Sequence, residues 1–362
     1  MDPLIFGRNK ETGLVAVEHL PSRKGAADEV ALFHRQGATV QCTREPFTAF
    51  LWIERPELLT GAPSEPEIQT LEGRNPLKAL ALFKTMKEFD RCVAWLKKKT
   101  GFTPSDPRAP FFFLNDPVQQ HLLLTGRTLF KGMKLRDLRR LQVDIETACA
   151  PEFEFSNAER ESDRILCIAL ADESGWVEVL TGDEKAMLEK FVRLVKEKDP
   201  DCIEGHNLFK FDLPYLQTRC GLHGVKFAPG RDGSAPRTHA SRFVIADRTL
   251  AYPRAEIYGR HVIDTYFLAM AYDVSHRSLE GFGLKEVAAH FGLSAPNRTY
   301  VDGDEIARTY ESDQETIHRY ARDDIVETRA ISDLLSPSFF VQAQILPFSY
   351  QNICVRGSGT KI

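Results

Sequence analysis

The sequence predicts an α/β protein in which a mixed sheet is flanked by helices and preceded by a smaller mixed α/β domain. Three observations carry that expectation. Of 362 residues, 43% are apolar and 27% charged, a balance that buries a sizeable core and suggests about two or three domains. From about residue 140 the patterns run strand, strand, strand, helix, strand, helix, which is not a simple alternating wind. Before that point, two helices are announced by their caps.

In chain order, Gly13–Val17 and Phe47–Ile53 have β-type composition, and a loop rich in Pro, Gly, Ser and Glu follows at Pro56–Gly73. Thr85-x-x-Glu88 is a capping box, and Met86, Phe89, Val93 and Leu96 then share one helical face. The next helix has Asp116 as cap, Pro117 in its first turn and Gly126 as stop. Lys131–Arg140 is basic (Lys131, Lys134, Arg136, Arg139 and Arg140 against Asp137), and its plainest reading is a solvated face.

Leu141–Thr147, Arg164–Ala171 and Trp176–Leu180 read as strands, the last two joined by a turn at Glu173–Gly175. Asp183–Lys198 is an amphipathic helix with Leu188, Phe191, Val192 and Val195 inward. Cys202–Glu204 is a short strand, and Asp212–Leu222 a helix that tolerates Pro214 in its first turn. A Gly/Pro/Ser-rich loop at 226–242 carries Lys226, Arg231, Arg237 and Arg242, and a hairpin is expected over Phe243–Ile263. Helices follow at Asp264–Tyr272, Leu284–Phe291 and about Asp313–Leu335, the last capped by Ser312-x-x-Glu315. Domains are expected over residues 1–135 and 136–335, with 336–362 an extension that forms no compact unit of its own.

Composition narrows the function. A net charge of −4 and a pI near 6.2 exclude a blanket electrostatic grip on a phosphate backbone, so any nucleic-acid contact needs local patches or bound metal. The 7 cysteines are scattered with no C-x-x-C pair, which fits reduced thiols rather than a disulfide framework or a zinc site. The opening MDPLIFGRNK has no apolar h-region, and no apolar run reaches membrane-span length. A cytoplasmic protein without membrane partners is expected.

The chemistry is concentrated in a few acids and one tyrosine. Asp144 and Glu146, in DIET, are i and i+2 on a strand and point to one face. Paired acids at the end of an apolar strand are costly unless a cation binds between them, and magnesium is the natural hard partner. Asp313-x-Glu315 repeats the triplet, but on a helix, where i and i+2 diverge. Asp212, in EGHNLFKFDLPYL, stands where a strand runs into a helix, and the alternative to a chemical role is a helix cap. Asn207 sits in that turn, where its amide can reach a ligand. Tyr320 and Asp324, in HRYARDDIVET, are i and i+4 on one helix face, and the alternative is a hydrogen-bonded structural pair. Asp323 competes with Asp324, Glu327 reads as a solvated face, and Asp264 as structural.

Taken in order, DIET, then N-x4-D, then Y-x3-D on a late helix resembles the proofreading 3′→5′ exonuclease domain of family B DNA polymerases, in the tyrosine subgroup of the superfamily named for its four acids. GRHVIDTYFLA, SLEGFGLKEVAAHFGL and DPVQQHLLLTGRTLFKGM look like further segments of that family, so the likeness covers most of the chain. The resemblance implies a ribonuclease H-like exonuclease fold behind a family B-like N-terminal domain. One departure is that the sequence stops at GSGTKI, where the family's polymerase domain would begin, and no palm motif is present.

What the resemblance further implies is a site with two divalent metal ions, Mg2+ or Mn2+. By that resemblance Asp144 would serve both ions, Glu146 and Asp324 would hold the one that activates water, and Asp212 would support the other through water. Tyr320 orients the attacking water, and nucleoside 5′-monophosphates leave a DNA 3′ end, single-stranded or frayed. The metals supply the positive charge that the acidic chain lacks. Thr147, Asn207 and Phe211 are candidate contacts to the terminal nucleotide, Phe211 by stacking or else as core. The basic loop 226–242 and its hairpin are candidate strand contacts or plain solvated loop. The alternatives are a proofreading part of a full family B polymerase and a non-cleaving nucleic-acid scaffold. Partners beyond DNA would be a polymerase or a replication or repair protein.

Overall fold

The structure is a computed structural model and describes residues 7–22 and 26–357. The described residues divide into two compact units, within Met1–Gly132 plus Ala343–Ser349 and within Met133–Gln342 plus Tyr350–Ile362.

The first unit has two antiparallel sheets. One is β1 (Leu14–Leu20), β2 (Glu29–Gln36) and β3 (Thr39–Pro46) in that order. The other joins β4 (Ala49–Ile53), β5 (Glu67–Thr70), β6 (Ala79–Phe83) and β7 (Phe111–Phe113) in the order β5-β6-β4-β7. β3 is mostly exposed and β5 wholly so. Neither has the apolar alternation that marks a half-buried strand, and each forms because a neighbour offers backbone partners. β5 thereby corrects the expected loop at Pro56–Gly73. Both predicted helices are capped by the residues that announced them. Thr85 Oγ1 accepts from Glu88 N at 3.1 Å ahead of α1 (Met86–Thr100), and Asp116 Oδ1 accepts from Val118 N at 2.9 Å ahead of α2 (Pro117–Thr125).

The second unit is built on a five-stranded mixed sheet of β8 (Arg140–Thr147), β9 (Ile165–Asp172), β10 (Val177–Leu180), β11 (Cys202–Gly205) and β14 (His261–Asp264), in the order β10-β9-β8-β11-β14. β9 runs antiparallel to β8 and β10, whereas β11 is parallel to β8 and β14. α3 (Glu184–Lys198), α4 (Asp212–Leu222) and α5 (Thr265–His276) contribute Leu188, Phe191, Leu216 and Phe267 to a core shared with Val143 and Ile145. A separate apolar cluster joins Cys167, Ala169 and Ala171 of β9 to Ile317, Tyr320, Ala321 and Ile325. These last four lie on α8 (Gln314–Ile345), which follows α6 (Leu284–His290) and α7 (Ile306–Ser312) and precedes α9 (Tyr350–Cys354).

Three sequence expectations need correction here. The hairpin is made by β12 (Arg237–Ile245) and β13 (Arg248–Glu256), so it starts inside the predicted loop, and His261–Asp264 joins the central sheet instead. α8 does not stop at Leu335. It continues through Pro337 to Ile345, because Ser332, Leu335, Ser336 and Phe340 remain buried and keep the helix packed. Its cap is not Ser312, whose hydroxyl donates to Arg308 O at 3.2 Å, but Asp313, whose Oδ1 accepts from Thr316 N at 3.2 Å.

Candidate active site

Strand alternation makes the site. On β8, Leu141, Val143 and Ile145 enter the apolar core, which leaves Arg140, Gln142, Asp144 and Glu146 on the opposite face. The residues paired with these on β9 are small: Ala171 with Gln142, Ala169 with Asp144, Cys167 with Glu146. α8 packs over those small residues and brings Tyr320 and Asp324 with it. Ligand oxygens of Asp144, Glu146 and Asp324 thereby fall within 4.8 Å of one another.

Asp212 arrives by a different route. β11 ends at Gly205, where a Cβ would stand 2.9 Å from the Val143 carbonyl oxygen, so only glycine lets the two strands run this close. Asn207 then takes a left-handed conformation (φ 64°). Asp264 pins the turn, its carboxylate accepting from Asn207 N at 2.8 Å, Phe209 N at 3.1 Å and Tyr266 N at 3.1 Å. His206 bridges Thr265 Oγ1 (2.9 Å) and the Phe282 carbonyl (2.7 Å), and burial pushes its imidazole down to about 4, so it is neutral. α4 then opens with Asp212, which is buried and accepts from Ile145 N of β8 at 3.2 Å. The side chain thus reaches across to the strand rather than serving as a simple cap.

A cavity of about 460 Å³ is lined by Asp144, Glu146, Asp212, Tyr320 and Asp324, together with His206, Phe211 and Lys285. Burial, then repulsion from Glu146 and Asp212, holds the Asp144 carboxyl well above the usual range, and burial and Asp324 do the same to Glu146. Burial pushes Asp212 up to about 7 and Asp324 to about 6. Asp144 Oδ2 is buried without a hydrogen-bond partner. Among the described residues, two cations approach the acids. Lys285 Nζ donates to the Tyr320 hydroxyl at 2.8 Å, and Arg298 forms an ion pair with Asp324 and, at 2.8 Å, with Glu327. An all-oxygen donor set with an orphaned buried oxygen and more acids than cations fits a hard divalent ion.

Of the other predicted residues, Phe211 lines this cavity. It is half-buried, its ring 5.3 Å from that of Tyr215. Thr147 donates its hydroxyl to Ser156 at 3.0 Å, and Asn207 is tied by its backbone to Asp264. Asp323 accepts from Thr299 N at 2.8 Å. Glu327 is not a solvated face, since it is buried and paired with Arg298. The basic segment is one only in part: Lys134 and Arg136 are exposed, but the other three basic residues turn inward. Lys131 is buried against the Gly7 and Asn9 carbonyls, Arg139 donates to the Lys198 carbonyl at 3.1 Å, and Arg140 is buried against Asp333 and Glu204. In the 226–242 loop, Arg231 turns inward to Asp199 (2.9 Å) and Asp201 (2.8 Å). Sequence reasoning missed Lys285 and Arg298. The first lies in the quoted FGLKEVA segment, which was its available signal, and the second carried none.

Residues 175–287 match the family model "DNA polymerase family B, exonuclease domain". That stretch holds Asn207, Phe211, Asp212 and Lys285, while Asp144, Glu146, Tyr320 and Asp324 flank it. A DNA polymerase of Archaeoglobus fulgidus is 28% identical over 232 residues, covering 64% of this chain and 27% of that protein. One from Desulfurococcus sp. (strain Tok) is 31% identical over 224 residues, covering 58% and 26%. The chain thus spans about a quarter of the length of these relatives. The solved family B DNA polymerase of Pyrobaculum calidifontis superimposes with a TM-score of 0.69 at 19% identity, over 95% of this chain and 48% of that one.

Proposed function

From a chain that carries the exonuclease region of family B DNA polymerases, on a ribonuclease H-like fold, we infer a metal-dependent 3′→5′ exonuclease that removes nucleoside 5′-monophosphates from DNA 3′ ends. The observation that carries this reading is the convergence of carboxylate oxygens of Asp144, Glu146 and Asp324 within 4.8 Å of one another, with Asp144 Oδ2 buried and without a hydrogen-bond partner. Asp144, Glu146 and Asp324, with Asp212 beside them, would hold two divalent ions, Mg2+ or Mn2+. When bound, such ions acidify water and stabilise charge on the phosphate oxygens.

The chain's own residues have the remaining tasks. The Tyr320 hydroxyl, on the cavity wall and accepting from Lys285, is placed to hold the attacking water by a hydrogen bond. Burial and the surrounding acids raise its phenol further above its ordinary value, so it acts as a neutral group. Water adds to the terminal phosphorus, the P–O3′ bond breaks, and the shortened strand leaves with a 3′-hydroxyl. A terminal nucleotide would have to leave its duplex to bring its phosphate to these acids, hence the proposed preference for single-stranded or frayed ends. Phe211 on the wall would contact that nucleotide, and Thr147 and Asn207, neighbours in sequence of the wall residues Glu146 and His206, are the further candidates. The N-terminal unit is read as the family's N-terminal domain, and the place of action is with DNA in the cytoplasm, beside a polymerase or a repair protein. Among the described residues no helix is long and apolar enough to cross a membrane.

The test is a 5′-labelled single strand incubated with the chain and Mg2+ or Mn2+. A ladder shortening from the 3′ end is expected, and Asp144→Ala should abolish it. A ladder that survives that substitution, or excess chelator, refutes the assignment.

A further inference from the structure

Arg298 lies in the loop between α6 and α7, outside every motif read from the sequence, and its side chain is 1% exposed. The guanidinium forks onto two acids one turn apart on α8: Nη2 donates to Asp324 Oδ1, and Nε donates to Glu327 Oε1 at 2.8 Å. Nη1 donates to the Thr299 carbonyl at 2.6 Å, and the guanidinium carbon stands 4.7 Å from the Tyr300 ring centroid and 5.6 Å from that of Tyr320. The next residue of the loop secures a third acid, Thr299 N donating to Asp323 Oδ2 at 2.8 Å. One short stretch of chain therefore holds the α8 turn that offers Asp324 to the cluster.

We propose that Arg298 is a positioning residue for metal binding: it fixes one oxygen of Asp324 so that the carboxylate presents the other toward Asp144 and Glu146. The proposal rests on the reading of the acids as metal ligands. Charge alone argues the opposite sign, because a cation beside a ligand repels a metal ion. Glu327 resolves this. It is buried on the same guanidinium and balances its charge, so Asp324 keeps its own for the metal. The fork also suits arginine specifically, since a lysine ammonium is a point charge that cannot hold two carboxylates in fixed planes. Partners of this kind orient a ligand without touching the metal, and their loss weakens metal affinity about 10–100-fold. With so little exposure, Arg298 has no surface to offer a substrate phosphate.

The experiment measures Mn2+ binding to the full chain from the spin-resonance signal of free Mn2+, alongside the melting temperature. Arg298→Met should weaken Mn2+ binding about 10-fold or more and lower the melting temperature, because Glu327 is left buried and unpaired. Arg298→Met combined with Glu327→Gln removes that stranded charge. It should recover the melting temperature but keep the weak Mn2+ binding. Arg298→Lys should bind Mn2+ as weakly as Arg298→Met. Wild-type affinity in the double variant would reduce Arg298 to a counter-ion of Glu327 and overturn the proposal. So would unchanged or tighter binding in Arg298→Met, or full recovery in Arg298→Lys. Failure of the exonuclease reading looks different: the wild-type chain binds Mn2+ and leaves labelled DNA intact.

Discussion

Asp264 lies outside the acidic cluster, yet it pins the turn that leads to Asp212. Its carboxylate accepts from the backbone N–H groups of Asn207, Phe209 and Tyr266 at 2.8, 3.1 and 3.1 Å, and the residue is buried. Asp264→Ala strands all three donors. An unpaired buried donor costs about 1–3 kcal/mol, and the space vacated by the carboxylate lets water recover part of it, so a loss of about 3–5 kcal/mol is expected. In a unit of this size each kcal/mol corresponds to about 2–4 °C in melting temperature, which makes a fall of roughly 10 °C. Urea unfolding followed by circular dichroism measures the loss directly. Asp247→Ala, at an exposed position in the β12–β13 turn, is the control and should stay within about 0.5 kcal/mol. Exonuclease rate should fall with Asp264→Ala even at temperatures where the variant is folded, because the left-handed Asn207 turn that leads to Asp212 is released. A loss below about 1 kcal/mol would refute the reasoning, for it would mean that the turn holds its shape without the pin.

Four further outcomes follow from the electrostatics of the site. Burial raises the carboxyls of Asp212 to about 7, Asp264 to about 6 and Asp324 to about 6, so the folded chain holds protons that the unfolded chain has released. Burial also lowers His206 and His121 to about 4, which works against this. Asp144 and Glu146 are raised as well, however, and five carboxyls outweigh two imidazoles, so metal-free stability should fall as pH rises from about 4 to about 7; a melting temperature that climbs over that range contradicts this. Asp144→Asn relieves a crowded buried charge; it should raise the metal-free melting temperature at pH 8 while abolishing cleavage, an exchange of function for stability read by calorimetry and the ladder assay. Mn2+ at about 100 times its Kd should stabilise the wild-type chain by roughly 2.7 kcal/mol, and chelator or Asp144→Ala should cancel the shift. Tyr320→Phe removes the hydroxyl that Lys285 meets at 2.8 Å; kcat should drop about 10²-fold with Mn2+ affinity unchanged.

Local chemistry carried much of the architecture into the sequence. Thr85, Asp116 and Asp183 each accept from a first-turn backbone N–H, as their positions before apolar periodic runs imply. Strand alternation placed Asp144 and Glu146 on one face, and helical periodicity placed Tyr320 over Asp324. Where partners are distant, that legibility ended. β3 and β5 are exposed and form by pairing, so no periodicity announces them. Arg140, Arg231 and Lys131 looked like solvent-facing charge because the carboxylates and carbonyls that bury them lie elsewhere in the chain.

The acids themselves, their spacing and the faces they occupy were determined by the sequence alone, since backbone geometry repeats every two residues in a strand and every three or four in a helix. Which charges meet was decided only by tertiary structure. Arg298 pairs with Asp324 and Glu327, and Lys285 with Tyr320, because α8 crosses the polar face of β8 with the α6–α7 loop laid against it. Coulomb attraction and burial depend on distance through space, and no local pattern records that distance.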